Sequence, residues 1–167
     1  MSTEKPAPMA KAPRNARAAA EERLLPGENI IETAVIHNGI FWQSAAVFIL
    51  ALLVAVFLVR ELGALLGVVA VLMAIYAIIR KEILMLVITN KRVLARYGML
   101  QVDVVDIHFD KLESMELERM LPGYIMGYAN VVMMGTGNRY IVIPYVANGV
   151  QLRRAYNEQA LADKEKK

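Results

Sequence analysis

The chain contains no cysteine. That excludes a disulfide framework, a thiolate zinc site and a cysteine nucleophile, and it fits a reducing compartment. Histidine is nearly as scarce. Only His37 and His108 occur, too few for a histidine-rich metal site. The formal net charge is +3, with no basic cluster beside it, so no nucleic-acid partner is expected. The 167 residues suffice for one domain and an anchor, but not for two sizeable soluble domains. The most informative shortage is local: charge is almost missing between Ile40 and Ile79. The overall hydrophobic fraction of 57% exceeds the roughly 45–50% of soluble domains because of that one stretch.

From Ile40 to Val59 no residue is charged. Twenty helical residues rise about 30 Å, the thickness of the hydrocarbon core. Arg60 and Glu61 interrupt the run, and a second uncharged run, Leu62 to Ile79, ends at Arg80-Lys81-Glu82. The interruption is too brief for a loop, so the two spans return antiparallel and leave both free ends on one side. A buried soluble hairpin is disfavoured, because about forty apolar residues would overwhelm so small a soluble core. A cleaved signal peptide fits worse, since the run starts far from Met1 and is too long.

Lysine and arginine set the orientation. Lys5, Lys11, Arg14, Arg17 and Arg23 precede the first span, Arg80, Lys81, Lys91, Arg92 and Arg96 follow the second, and the turn offers only Arg60. Both termini are therefore expected in the cytoplasm. Gly63 and Gly67 stand four apart in the second span. This spacing serves either oligomerisation or packing within the hairpin, and the latter is the preferred reading.

Residues 1–23 read as a tail rich in Ala, Pro and charge, partly helical near Ala18 to Leu25. Leu24-Leu25-Pro26-Gly27-Glu28 marks a turn, and Ile30 to His37 a short extended or helical approach to the membrane. Beyond Lys81 the pattern becomes short β-like runs. They are 82–89, 92–97, 101–109, 111–118 with a bulge, 130–134 and 139–145, the last two joined around Gly135-Thr136-Gly137-Asn138. From Asn148 to about Asp163 the spacing of Val150, Leu152, Tyr156 and Leu161 is helical.

Several of these segments resemble the bacterial pleckstrin-homology (PH) domain family, in its membrane-anchored type with an upstream hairpin. They are Leu24-Leu25-Pro26-Gly27-Glu28, Ile88-Thr89-Asn90-Lys91-Arg92-Val93 with Gly98 and Leu100, Phe109 to Ser114, and the Gly127-Tyr128 step. The sequence departs from the family pattern where Ala129 replaces a glycine and Pro122 intrudes. The resemblance implies a seven-stranded, partly open barrel capped by a C-terminal helix, and a bacterial inner membrane for the two spans. The expected fold is thus an α+β membrane protein: a transmembrane helical hairpin followed by a PH-like barrel. Its parts are a tail (1–23), a lead-in (24–39), the hairpin (40–81, spans 40–59 and 62–79), the PH-like domain (82–163) and a charged end (164–167).

No catalytic constellation emerges. His108 and Asp106 share a strand face, yet no nucleophile motif accompanies them. Gly135-Thr136-Gly137 lacks the helix and lysine of a phosphate loop. No cofactor is expected. Two binding features stand out. Lys91, Arg92 and Arg96 form a basic group suited to anionic lipid headgroups, with ordinary solvated charge as the competing reading. Leu121, Tyr124, Ile125, Met126 and Tyr128 crowd a turn-rich stretch, suited either to a partner surface or membrane dip, or to closing the barrel as core. The functional expectation is a non-enzymatic, membrane-tethered interaction module, an accessory or assembly subunit whose partners are membrane lipids and another integral membrane protein or its own copies. Headgroup binding is the alternative.

Overall fold

The computed structural model describes residues 20–98, 103–136 and 139–165. The tail through residue 19, the 99–102 stretch, the tip of the last hairpin at 137–138 and the final two residues lie outside them.

Strand β1 (Ile30–Thr33) leads through a 3-10 turn (Asn38–Phe41) into helix α1 (Trp42–Phe57), and α2 (Arg60–Ile83) returns. These are two helices of 20 and 24 residues, counting the 3-10 turn with the first, each long and apolar enough to cross a membrane. Burial separates them from soluble core helices. Only 17% of each apolar window is covered by protein, leaving most large apolar side chains of both helices facing outward, Phe48, Leu52, Leu65 and Leu72 among them. The connection is Leu58-Val59, whose N–H groups both donate to the Val54 carbonyl at 3.0 Å. The seam is made of small residues seven apart: Gly63, Ala70 and Ala77 on α2, Ser44 and Ala51 on α1. A Cβ on Gly63 would collide with Ala55, whereas one on Gly67 would meet nothing within 4 Å. Gly63 thus packs inside the hairpin and Gly67 stays out of its seam.

Outside the hairpin the chain holds seven strands among the described residues, in two antiparallel sheets. The first runs β1, β2 (Met85–Thr89), β3 (Arg92–Tyr97), β4 (Asp103–His108); the second runs β5 (Leu112–Glu118), β6 (Ala129–Gly135), β7 (Arg139–Val146). A short helix, α3 (Leu121–Met126), joins β5 to β6, and α4 (Gly149–Glu165) ends the chain. β1 pairs with β2, so the lead-in belongs to the first sheet, and the apolar hairpin is an insertion between two neighbouring strands. Placing the start of the domain at residue 82 therefore omits its first strand. α2 also runs on to Ile83, so β2 begins three residues later than 82.

Alternation builds the core. Leu86, Ile88, Val93 and Ala95 of the first sheet face Met115, Val131, Met133, Ile141 and Ile143 of the second. The broken alternation of β5 is a bulge: the register shifts between Leu112 and Ser114, so Leu112 and Met115 both reach the core despite their odd separation. β2 is buried on both faces. Its outer residues Met85 and Val87 cluster with Leu94 and with Ala20, fully buried although read as tail. α4 rests against β1, β2, β5 and β6 through Leu152, Ala155 and Tyr156, spaced three and four apart. Val150 and Leu161 of the same helix point to solvent.

Candidate functional site at the foot of the hairpin

Two of the segments that carry the family resemblance, Leu24 to Glu28 and Thr89 to Arg92, meet in one polar lock. Gly27 adopts φ +76°, closing a turn in which Glu28 N–H donates to Leu25 O at 2.9 Å. That turn aims the Glu28 carboxylate, fully buried, at the Arg92 guanidinium, which is 11% exposed. Arg92 donates from Nε at 3.0 Å and Nη2 at 3.1 Å, in a bidentate pair. Thr89 Oγ1 and Leu25 N–H donate to the same carboxylate at 2.7 and 2.8 Å. Arg92 further donates to Asp106 Oδ2 at 2.8 Å and to Arg23 O at 3.0 Å. Asn90 Oδ1 accepts from Asn29 N–H at 3.0 Å, and Lys91 Nζ donates to Pro26 O at 3.3 Å. Burial works against ionising Glu28, but hydrogen bonds from Arg92, Leu25 and Thr89 outweigh it and hold its pKa below the ordinary value. The Glu28 hydrogen bond, against some desolvation, raises that of Arg92.

The three basic residues do not form one patch. Arg92 is engaged by Glu28 and Asp106. Arg96 lies four residues along β3, about 13 Å away. Its guanidinium donates to Ile83 O and Glu82 O, both at 2.8 Å, capping carbonyls that the end of α2 leaves open. Asp106, paired with His108 in the sequence reading, gives its carboxylate to Arg92. Among the described residues no three His, Asp or Glu side chains converge as a metal site.

The other crowded segment divides in two. α3 starts with Pro122 in its first turn and ends at Gly127, φ +80°, so Pro and Gly frame the helix as the two ends demand. Leu121 is 82% exposed and Ile125 86%, with Met120 and Tyr124 nearly as open and Met126 partly so. Tyr128 instead turns inward at 5% exposure. Its ring stacks on His37 at 5.9 Å and meets Tyr145 at 4.9 Å. A Cβ on Gly39 would lie 2.7 Å from that ring, and one on Gly123 of α3 would lie 2.6 Å from the Tyr128 carbonyl. Both glycines are thus needed for close approach, and Tyr128 fixes α3 beside the 3-10 turn that opens α1.

The foot of the hairpin is tightly held. His37 N–H donates to Tyr145 O at 2.6 Å, Ala147 N–H to Val35 O at 2.8 Å, and Ala34 N–H to Leu86 O at 2.8 Å. Asn148 accepts from Val35 N–H and donates to Thr33 O and Glu32 Oε1. Lys81 Nζ reaches Asn38 Oδ1 at 2.6 Å, tying the end of α2 to the start of α1.

A cavity of about 210 Å³ opens where the two helices meet β7. Gln43, Ser44, Tyr76, Arg80 and Tyr145 line it, against a wall of Ile40, Met73 and Ala77. Tyr145 has φ +60°, a left-handed conformation costing a non-glycine residue about 1–2 kcal/mol. The cause is a bulge: the step Ala129 to Val131 on β6 faces the longer step Ile143 to Val146 on β7. Bulges re-aim side chains. Sequence reading left Arg80 as a boundary charge and Tyr145 as a strand residue; Pro144 inside the strand was the available signal for an edge or bulge.

Two antiparallel sheets of four and three strands around one core, closed by a C-terminal helix, define a PH-like arrangement. The chain belongs to the Bacterial PH domain family, which it matches over residues 44–160. The match begins inside α1 and takes in the second helix and β2 to β7, leaving β1 outside. No curated protein and no solved structure matches the chain.

Proposed function

We propose that this protein is a non-enzymatic, membrane-tethered interaction module that presents α3 to another integral membrane protein, as an accessory or assembly subunit. The hairpin sits in the inner membrane with both termini in the cytoplasm. The basic residues flanking the two outer ends of the helices support that orientation. The partly open barrel then stands at the headgroup layer.

The observation that carries the reading is the exposure of Leu121, Tyr124 and Ile125 beside the entry to the first span. Apolar and aromatic side chains of this size are the anchors of protein interfaces. Among the described residues nothing in the core covers them, and Tyr128 rather than these side chains turns inward. A partner with a cytoplasmic face next to its own spans meets α3 without leaving the membrane plane. Headgroup binding by Lys91, Arg92 and Arg96 has less support, because two of the three guanidinium or ammonium groups are occupied within the lock and Arg96 caps α2.

Site-specific photo-crosslinking from position 125 in native membranes tests the reading. A discrete protein adduct that disappears with Leu121→Ser is expected. Adducts to lipid alone would overturn it, and an adduct at twice the chain's own mass would redirect it to self-association.

A further inference from the structure

We infer that the cavity between Arg80 and Tyr145 binds the phosphate of an anionic phospholipid with an uncharged polyol head. This rests on the cavity and on the proposed membrane placement of the hairpin, not on the reading of α3. Three observations point to it.

The first is depth. α2 has 24 residues, about 36 Å of helix against about 30 Å of hydrocarbon, so its last turn emerges at the headgroups. Arg80 and Tyr76, one turn apart, therefore sit where lipid phosphates lie. The second is an unspent cation. Among the described residues no carboxylate or carbonyl engages the Arg80 guanidinium, although Lys81, Arg92 and Arg96 nearby in sequence are all occupied. The third is Tyr145. A tyrosine in the left-handed region, where glycine is the ordinary choice, is held there by its Pro144 bulge and lines the same cavity.

The chemistry of the lining selects the head. Arg80 offers a planar fork for a phosphodiester, and Tyr76 and Tyr145 carry hydroxyl donors. Ser44 Oγ already donates to Phe41 O at 2.8 Å, so toward the cavity it accepts, and the Gln43 amide beside it offers both an acceptor and donors. Acceptors beside the phosphate suit glycerol hydroxyls. Among the described residues no carboxylate lines the cavity to balance an ammonium or choline group.

Native mass spectrometry of the full chain, extracted in mild detergent and exchanged into phosphatidylglycerol, phosphatidylcholine or inorganic phosphate, tests the assignment. The wild type retains phosphatidylglycerol over phosphatidylcholine, and inorganic phosphate does not displace it. Arg80→Gln lowers retention by about tenfold or more, as loss of a charge-assisted hydrogen bond requires. Arg80→Lys loses part of it, and Lys91→Gln none. Gln43→Leu with Tyr76→Phe gives an independent loss should Arg80→Gln not fold. Equal retention of both lipids, or of phosphatidylglycerol by the Arg80→Gln chain, overturns the site. Full displacement by inorganic phosphate assigns it to the free anion instead and overturns the lipid.

Discussion

Arg92→Ala is the sharpest perturbation of the lock. It leaves the Glu28 carboxylate, with no exposed side-chain surface, facing the space of a missing guanidinium. Removing one partner of a buried pair costs about 3–5 kcal/mol, because the other charge stays buried and uncompensated. Against the roughly 5–15 kcal/mol that holds an ordinary domain together, this is a large share. Arg92→Lys retains the charge but not the fork that spans Glu28, Asp106 and Arg23 O, so it recovers only part of the loss. The Glu28→Gln, Arg92→Met double variant removes both charges and lies well above Arg92→Ala in stability. Hydrogen exchange of β2 and β3 amides in the full chain reads these differences directly, since the lock spans their shared turn. Lys91→Ala, one residue away and bound only to a carbonyl, changes stability by within about 0.5 kcal/mol. If Arg92→Ala costs no more than Lys91→Ala, the lock is not structural, and Arg92 returns to the list of candidate headgroup contacts.

The remaining expectations concern pH, the seam and α3. Glu28 has a folded-state pKa below its ordinary 4.5, so its pairing stabilises the fold fully above about pH 4.5 and is lost as pH falls through the depressed value. A stability–pH profile shows that acid step in the wild type and not in Glu28→Gln. Gly63→Leu forces α1 and α2 apart at Ala55 and lowers thermal stability in detergent by about 1–3 kcal/mol, while Gly67→Leu leaves it unchanged. Gly39→Ala drives a methyl into the Tyr128 ring and lowers the melting temperature, an effect relieved by Tyr128→Leu. Leu121→Ser with Ile125→Ser keeps stability within about 0.5 kcal/mol per site, because both side chains are already outside.

The apolar hairpin was legible because a long uncharged run is a simple signal, and two helices long and apolar enough to cross a membrane occupy it. β3 was read at its observed bounds, since Arg92 to Tyr97 sits between two turn signals. β1 was harder. Its partner β2 lies beyond the whole hairpin, and no local period in Ile30 to Thr33 announces a pairing at Thr89. The basic residues show a second limit. An arginine looks the same in a sequence whether it faces water or a buried glutamate, and Glu28 is 64 positions from Arg92. The resemblance named both segments, Leu24 to Glu28 and Thr89 to Arg92, yet not that each holds the other. The Met120 to Tyr128 stretch was recognised as apolar and left open between surface and core. The stretch divides, because Gly127 reverses the chain and sends Tyr128 inward while Leu121 and Ile125 stay out. Pro122 and Gly127, five apart, were the available signal for α3.

The central claim is that this chain works by holding a partner through α3 at the membrane surface. The most direct measurement is purification of the full chain from native membranes in mild detergent, with stoichiometry read by mass spectrometry, beside the Leu121→Ser, Ile125→Ser variant. One integral membrane protein in fixed ratio with the wild type, and absent from the variant, is the predicted result. Recovery of the chain alone, or equal recovery of the same partner with the variant, would contradict it.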